Sequence, residues 1–256
     1  MSKNQMCLIF LWFFFDFFCE QSLLISRCGL LKMLVGEERK GGSLRIELEG
    51  VPGGSSGFEL ATKFCYGVCP EISPFNVALL RCVAEFLDMS DEHGEGNLMS
   101  QTDIYLENLQ NKTLTDIVTI LRTSETLLPL AEDLQIVNRC IQCAASKAIK
   151  GTHSENGHHN PSIFHKVETY LDDSIDWCLE DSLLCISFYQ RVMQAMRRMG
   201  LTNKGLSRAL VFYAQQSLNG FANNKGPQWV HGSAVATDYD KRILVESIVG
   251  LLPREK

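Results

Sequence analysis

The stretch KGTHSENGHHNPS, from Lys150 to Ser162, constrains the fold most, because it carries almost no apolar side chains. A segment that buries nothing cannot sit inside a packed domain. It therefore reads as a linker, spanning 150–165, and the chain must build its cores separately on either side. Apolar residues make up 45% of the 256 residues, which supplies enough material for two such cores.

Before the linker, apolar residues recur at helical spacing between short breaks. Ser22 to Gly36 reads as one or two helices carrying Leu30, Leu31, Leu34 and Val35, followed by a charged loop over 37–43. Arg45 to Glu49 alternates, with Ile46 and Leu48 on one face, and predicts a short strand. Pro52, Gly53 and Gly54 form a turn rather than a phosphate loop, since no G-x-x-x-x-G-K follows. The helix Phe58 to Tyr66 is stopped by Gly67. Ser73 and Pro74 then suit the N-cap and first position of a helix over FNVALLRCVAEFLDM. Phe64 and Leu79 fall on the apolar faces of these two helices and are expected as core anchors. Further helices are predicted over Asn97–Leu109, Leu114–Thr123 and Ala131–Ala148.

Beyond the linker, Leu184, Phe188, Val192, Ala195 and Met199 make one helical face, ended by Gly200. Leu206, Leu210 and Tyr213 mark the next helix. A Gly/Asn-rich loop follows from Asn219 to Ala236, and a last helix from Asp238 to Leu252 is stopped by Pro253. The fold class expected is mainly α with a few short strands.

The first residues break this pattern. Phe10, Phe13, Phe14, Phe15, Phe17 and Phe18 crowd into CLIFLWFFFDFFC, interrupted by Asp16. At 1.5 Å per residue a helix from Cys7 to Cys19 falls short of a hydrocarbon core of roughly 30 Å. A signal peptide would use Lys3 and Leu8–Phe15, but Glu20, Gln21 and Ser22 provide no small-residue cleavage site. Residues 1–21 are taken as an aberrant Phe-rich start in place of a first strand.

Charge and chemistry exclude much. The net charge is −6, and the densest basic group, Arg191, Arg197, Arg198 and Lys204, is spread along one helix. Nucleic acid is thus not an expected partner, and a membrane is expected only peripherally. The ten cysteines lie in apolar helical segments and read as reduced buried thiols. Cys140 and Cys143 form C-x-x-C on a helix without a second ligand pair, and Cys65 and Cys69 straddle a helix end. His153, His158 and His159 sit in the linker, where a metal would have to order them first. The carboxylates Asp172, Asp173, Asp176, Glu180 and Asp181 read as an acidic helix start. No nucleophile–base motif occurs. The expectation is no catalytic residue, no metal and no cofactor: not an enzyme.

One long segment is recognisable. Pro52-Gly53-Gly54, Phe58-Glu59-Leu60, Lys63-Phe64-Cys65-Tyr66-Gly67, Leu80-Arg81-Cys82 and Ala84-Glu85-Phe86-Leu87 resemble the plant BTB/POZ family of non-phototropic hypocotyl three and root phototropism two. Ser124–Glu132 matches that family's S-E-x-L-L-P-x-A-E, and Asn138–Ile141 its S/N-R-C-I. Asp176-Trp177, Glu180-Asp181, Tyr189-Arg191-Val192-Met193 and Glu246–Leu252 resemble the opening of its second domain. The resemblance covers about residues 22–256.

The resemblance implies a partial BTB/POZ domain over 22–110, a helical extension over 111–149 and the start of the family's helical domain over 166–256. It implies a substrate adaptor or scaffold of a cullin-three RING ubiquitin ligase, in phototropic or auxin-transport-related signalling. Its partners would be the cullin-three scaffold, other BTB-containing chains and, as a further candidate, a photoreceptor kinase. Its place would be the cytoplasm, reaching to the plasma-membrane periphery. The family motif and core residues are Gly53, Gly54, Phe58, Phe64, Tyr66, Gly67, Leu79, Arg81, Glu85, Asp176, Trp177, Glu180 and Asp181. Val35 and Glu37, after the helix Leu30–Val35, take the place of the apolar-x-acidic cullin-docking element, against the alternative of a core valine and a solvated glutamate. The family's first strands and first helix are replaced by the Phe-rich run, which is expected to weaken a BTB dimer. Cys178 stands where a second tryptophan is usual, and the ending at Lys256 suggests a truncated member. Two other classes compete: a secreted or membrane-tethered helical protein anchored by the apolar run, and a metal- or redox-responsive module.

Overall fold

In the computed structural model the described residues are 6–7, 21–38, 47–68, 71–151, 184–222, 242, 245–246 and 248–250. They form mainly helix. The helices are α1 (Gln21–Arg27), α2 (Gly29–Glu38), α3 (Gly54–Cys65), α4 (Val77–Phe86), α5 (Leu98–Glu107), α6 (Leu114–Ser124), α7 (Leu130–Asp133), α8 (Ile136–Gly151), α9 (Ile186–Arg198) and α10 (Asn203–Ala222). Two short strands, β1 (Met6–Cys7) and β2 (Glu47–Leu48), pair antiparallel with Met6 opposite Leu48 and Cys7 opposite Glu47. The start of the Phe-rich segment thus supplies a strand. The other residues of that run, and most of the 150–165 linker, lie outside the described residues.

The chain divides into two units. One holds Met1–Gln110 with Thr123–Ile136; the other holds Asn111–Arg122 with Val137–Lys256. The division runs through the segment 111–149 that the resemblance sets apart as an extension.

In the first unit the core gathers around α4. Val77, Ala78, Leu80, Cys82, Val83 and Ala84 are all fully buried, so this helix is apolar over most of its circumference. It packs against α3, α5, α7 and the 3-10 turn Glu125–Leu127. From the other elements Leu24, Cys28, Leu31, Phe58, Phe64 and Leu98 complete the same cluster. Two glycines allow the close approach of α3. A side chain on Gly57 would strike the Pro52 carbonyl and Val83, and Gly53 adopts a left-handed φ of 68° with Leu79 over the space its side chain would need.

Several boundaries differ from the sequence expectation for local reasons. The helix expected from Pro74 begins only at Val77. Asn76 accepts the Ser73 N–H through its side-chain oxygen at 2.8 Å and donates to the Glu71 carbonyl at 2.9 Å, holding the preceding residues as a turn. The helix α3 starts at Gly54, straight from its turn, and ends at Cys65. There Gly67 at φ 75° donates to Phe64 O and Val68 to Lys63 O, closing the last turn. The stretch Ala131–Ala148 is two helices, because Gln135 turns left-handed at φ 59° and donates to Glu132 O. The helix α2 continues to Glu38, where a loop was expected from residue 37. In α10 the helix runs on to Ala222, past the expected loop start.

In the second unit Tyr189 and Tyr213 stack with ring centroids 4.0 Å apart. Tyr189 donates to Ala209 O at 2.8 Å and Tyr213 to Leu184 O at 2.9 Å, so both buried hydroxyls are satisfied. Phe188, Val192 and Ala195 are buried as their spacing predicts, whereas Met199, beyond the end of α9, is exposed.

Phe64 and Leu79 should separate on truncation. Phe64 is buried, and Phe64→Ala should cost about 3–5 kcal/mol in denaturant unfolding. Leu79 is only half-buried, so Leu79→Ala should cost about 1–2 kcal/mol. Equal losses would contradict this placement.

Candidate functional site

The candidate docking element lies on α2. Val35 is 9% exposed and faces the cluster of Leu24, Cys28 and Leu31. Val35 is thus a core residue, the alternative to its docking role. Glu37 falls within the last turn of α2, not in a loop after it, and its side chain lies outside the described residues. The outward apolar residue of this helix is Met33, 54% exposed, next to exposed Lys32.

The family-motif residues of the first unit lie together on α3, α4 and the turns that flank α3, some in the core and some at the surface. Phe58 and Phe64 are buried, Leu79 covers Gly53, Gly54 opens α3, and Tyr66 and Gly67 close it. Arg81 crosses from α4 to α5: its Nε donates to Asp103 Oδ1 at 2.9 Å and its Nη1 to Glu85 Oε2 at 2.8 Å. Its side chain is 11% exposed. Burial opposes the charged form, yet the hydrogen bonds to Glu85 and Asp103 outweigh it and hold the guanidinium above its ordinary value. Guanidinium suits this place, since one planar group reaches two carboxylates on different helices. Asp176, Trp177, Glu180 and Asp181 lie outside the described residues.

A second polar centre was missed in the sequence beyond its role as a helix start. Asn97 is fully buried. Its amide donates to Arg27 O at 3.0 Å and Ser90 O at 2.9 Å, while its side-chain oxygen accepts from the Leu98 N–H at 2.9 Å. Its backbone N–H reaches Asp91 Oδ1 at 3.0 Å. The Ser100 hydroxyl and then this N–H hold the Asp91 carboxyl below the usual range. One side chain thus caps α5 and ties down the end of α1. Nearby, Asp88, with φ 51°, pairs with His93 at 2.9 Å.

Chemically, the described residues present helix faces and structural ion pairs. No group of three or more His, Cys, Asp or Glu among them is placed to hold a metal ion. His153, His158, His159 and Cys69 lie outside them. Cys28, Cys65, Cys82, Cys140 and Cys143 are buried free thiols. No helix among the described residues is long and apolar enough to cross a membrane.

Most of the chain is similar to known plant proteins. Residues 176–256 match the NPH3 family. The chain is similar to the BTB/POZ domain-containing protein SR1IP1 of Arabidopsis thaliana, 39% identical over 239 residues, covering 91% of this chain and 39% of that protein. It is similar to the BTB/POZ domain-containing protein SETH6 of the same plant at 34% identity, covering 91% of this chain and 36% of the relative. Root phototropism protein 2, also from Arabidopsis thaliana, is 31% identical over 94% of this chain and 39% of its own length. The chain therefore spans well under half the length of these curated relatives. No solved structure matches it.

Asn97 provides the test of how the first unit is held. Asn97→Ala removes the cap of α5 and leaves the Arg27 and Ser90 carbonyls without this donor, and should cost about 2–4 kcal/mol in urea unfolding. Asn97→Asp keeps the acceptor and loses both donors, and should recover less than half of that. Full recovery by Asp would show that only the cap matters.

Proposed function

The chain belongs to the plant BTB/POZ family of non-phototropic hypocotyl three and root phototropism two, and from that premise we propose that it is a substrate adaptor of a cullin-three RING ubiquitin ligase. The similarity to proteins named for the BTB/POZ domain, running through the residues that build α3 and α4, carries this reading. An adaptor needs no catalytic group: its work is to hold two partners at a fixed distance so that a modification supplied elsewhere becomes effectively intramolecular. Two separately packed units suit that division of labour, one facing the scaffold and one presenting the substrate.

In this reading α2 belongs to the scaffold side. Val35 anchors the helix through its buried face, Glu37 lies in its last turn as the acidic member of the docking element, and Met33 offers the exposed apolar contact. The name of root phototropism protein 2 supports a role in a phototropic signalling pathway, with a photoreceptor kinase as a further candidate partner. The place of action would be the cytoplasm and the plasma-membrane periphery.

Co-precipitation of the full chain with a cullin-three scaffold tests the proposal. Met33→Asp should lower capture roughly tenfold or more with little change in Tm, because its side chain is exposed. Val35→Ala should instead lower stability, by about 1–2 kcal/mol. Failure of the unaltered chain to capture cullin would overturn the adaptor reading. Normal capture by Met33→Asp would overturn the assignment to α2.

A further inference from the structure

A pair of buried thiols, one of them within the motif Lys63–Gly67, supports a separate reading. Cys28 is the single residue between α1 and α2, and Cys65 is the last residue of α3. Their sulfurs lie 4.0 Å apart although the residues are 37 positions apart in sequence. We propose that Cys28 and Cys65 form a reversible redox pair, closing to an intramolecular disulfide when the protein meets hydrogen peroxide.

The geometry needs little rearrangement. A disulfide requires sulfurs about 2.05 Å apart, so rotation of the two side chains must bring them roughly 2 Å closer. The junction at Cys28 is already pinned, with Gly29 N donating to Asp88 O at 2.9 Å and Leu30 N to Leu87 O at 3.2 Å. On the other side, the Arg27 guanidinium sits 5.6 Å from the centre of the Phe64 ring, which brings a positive charge beside the end of α3.

The two thiols are also unlike one another. The hydrogen bond with Cys28 lowers the Cys65 thiol against the opposing effect of burial, with the Arg27 charge acting in the same sense. The same hydrogen bond, then burial, raises Cys28. Cys65 is therefore the thiol that ionises more readily, and Cys28 the one that holds its proton. By contrast, burial pushes Cys82 and Cys140, inside α4 and α8, up to about 12. Those thiols have little thiolate to offer an oxidant. Both members of the pair are buried, so peroxide must enter by local opening. The final turn of a helix is where such opening costs least, and Cys65 stands there.

The reaction balances. The Cys65 thiolate attacks one oxygen of hydrogen peroxide, the O–O bond breaks, and hydroxide leaves to give a sulfenic acid. The Cys28 sulfur, losing its proton, then attacks the Cys65 sulfur; the S–O bond breaks and the oxygen leaves as water. Two thiols and one peroxide become one disulfide and two waters, with both sulfurs oxidised and the peroxide oxygens reduced. The new bond joins the α1–α2 junction to the end of α3. An external thiol reverses it by exchange.

The test uses the full chain, purified reduced and exposed to hydrogen peroxide under native conditions. Peptide mapping should show a Cys28–Cys65 disulfide with a mass loss of about 2 Da, the two hydrogens of the paired thiols. Cys82 and Cys140 should stay unmodified at the same dose, and dithiothreitol should restore the mass. The oxidised form should melt about 5–10 °C higher, since the bond restricts the unfolded chain. In Cys28→Ser, dimedone should trap a sulfenic acid at Cys65; in Cys65→Ser, trapping at Cys28 should be several-fold lower. If a variant does not fold, mapping of the unaltered protein still decides. Oxidation that yields no Cys28–Cys65 bond, or that needs prior unfolding, would overturn the proposal.

Discussion

Burial of α4 on nearly every side is the constraint on which the first unit depends. A helix apolar around most of its circumference is stable only if other elements cover it, and here α3, α5, α7 and a 3-10 turn do so. Among the described residues of α4, Arg81 is the charged side chain set furthest into this apolar surround, at 11% exposed against 42% for Glu85. Its guanidinium is admitted because Glu85, one turn along, and Asp103, on the facing helix, both receive its hydrogen bonds. Removing either carboxylate would leave part of a largely buried cation unpaired, which costs more than the pair itself contributes. Arg81 thus ties α5 to α4 through its bond to Asp103.

Everything else in the unit is attached to that arrangement by close contact. Gly57 lets α3 lie against Val83, and Leu79 occupies the space beside Gly53. Asn97 joins the start of α5 to the end of α1, and the backbone of α2's first residues hydrogen-bonds to Leu87 and Asp88. The motifs that carry the family resemblance are therefore largely the means by which helices pack.

The helical character was legible because apolar residues recur at i, i+3 and i+4 in α4, α8 and α9. The inward placement of Phe64 follows from that spacing alone. Leu79 and Leu80 show the limit: adjacent leucines on one apolar helix, yet Leu80 is fully buried and Leu79, which lies against Gly53, is half-covered. The start of α4 was misplaced because Asn76 spends its side chain on the preceding turn, competing with the Ser73-Pro74 start signal. The break at Gln135 has no glycine or proline to announce it. Val35 was ambiguous because spacing cannot say which face of a short helix finds a partner. The Cys28–Cys65 approach arises from tertiary packing across two helix ends, and neither residue's neighbours in sequence signal the other.

Native-state hydrogen exchange on the full chain tests the central claim, that α4 is the element on which the first unit is assembled. If it is, the amides of Leu80 to Phe86 exchange only through global unfolding of that unit, with a protection free energy equal to its unfolding free energy. The amides of α1 and α2 should open at lower free energy while α4 stays protected. Exchange of α4 before α1 and α2, or at a free energy well below that of global unfolding, would contradict the account.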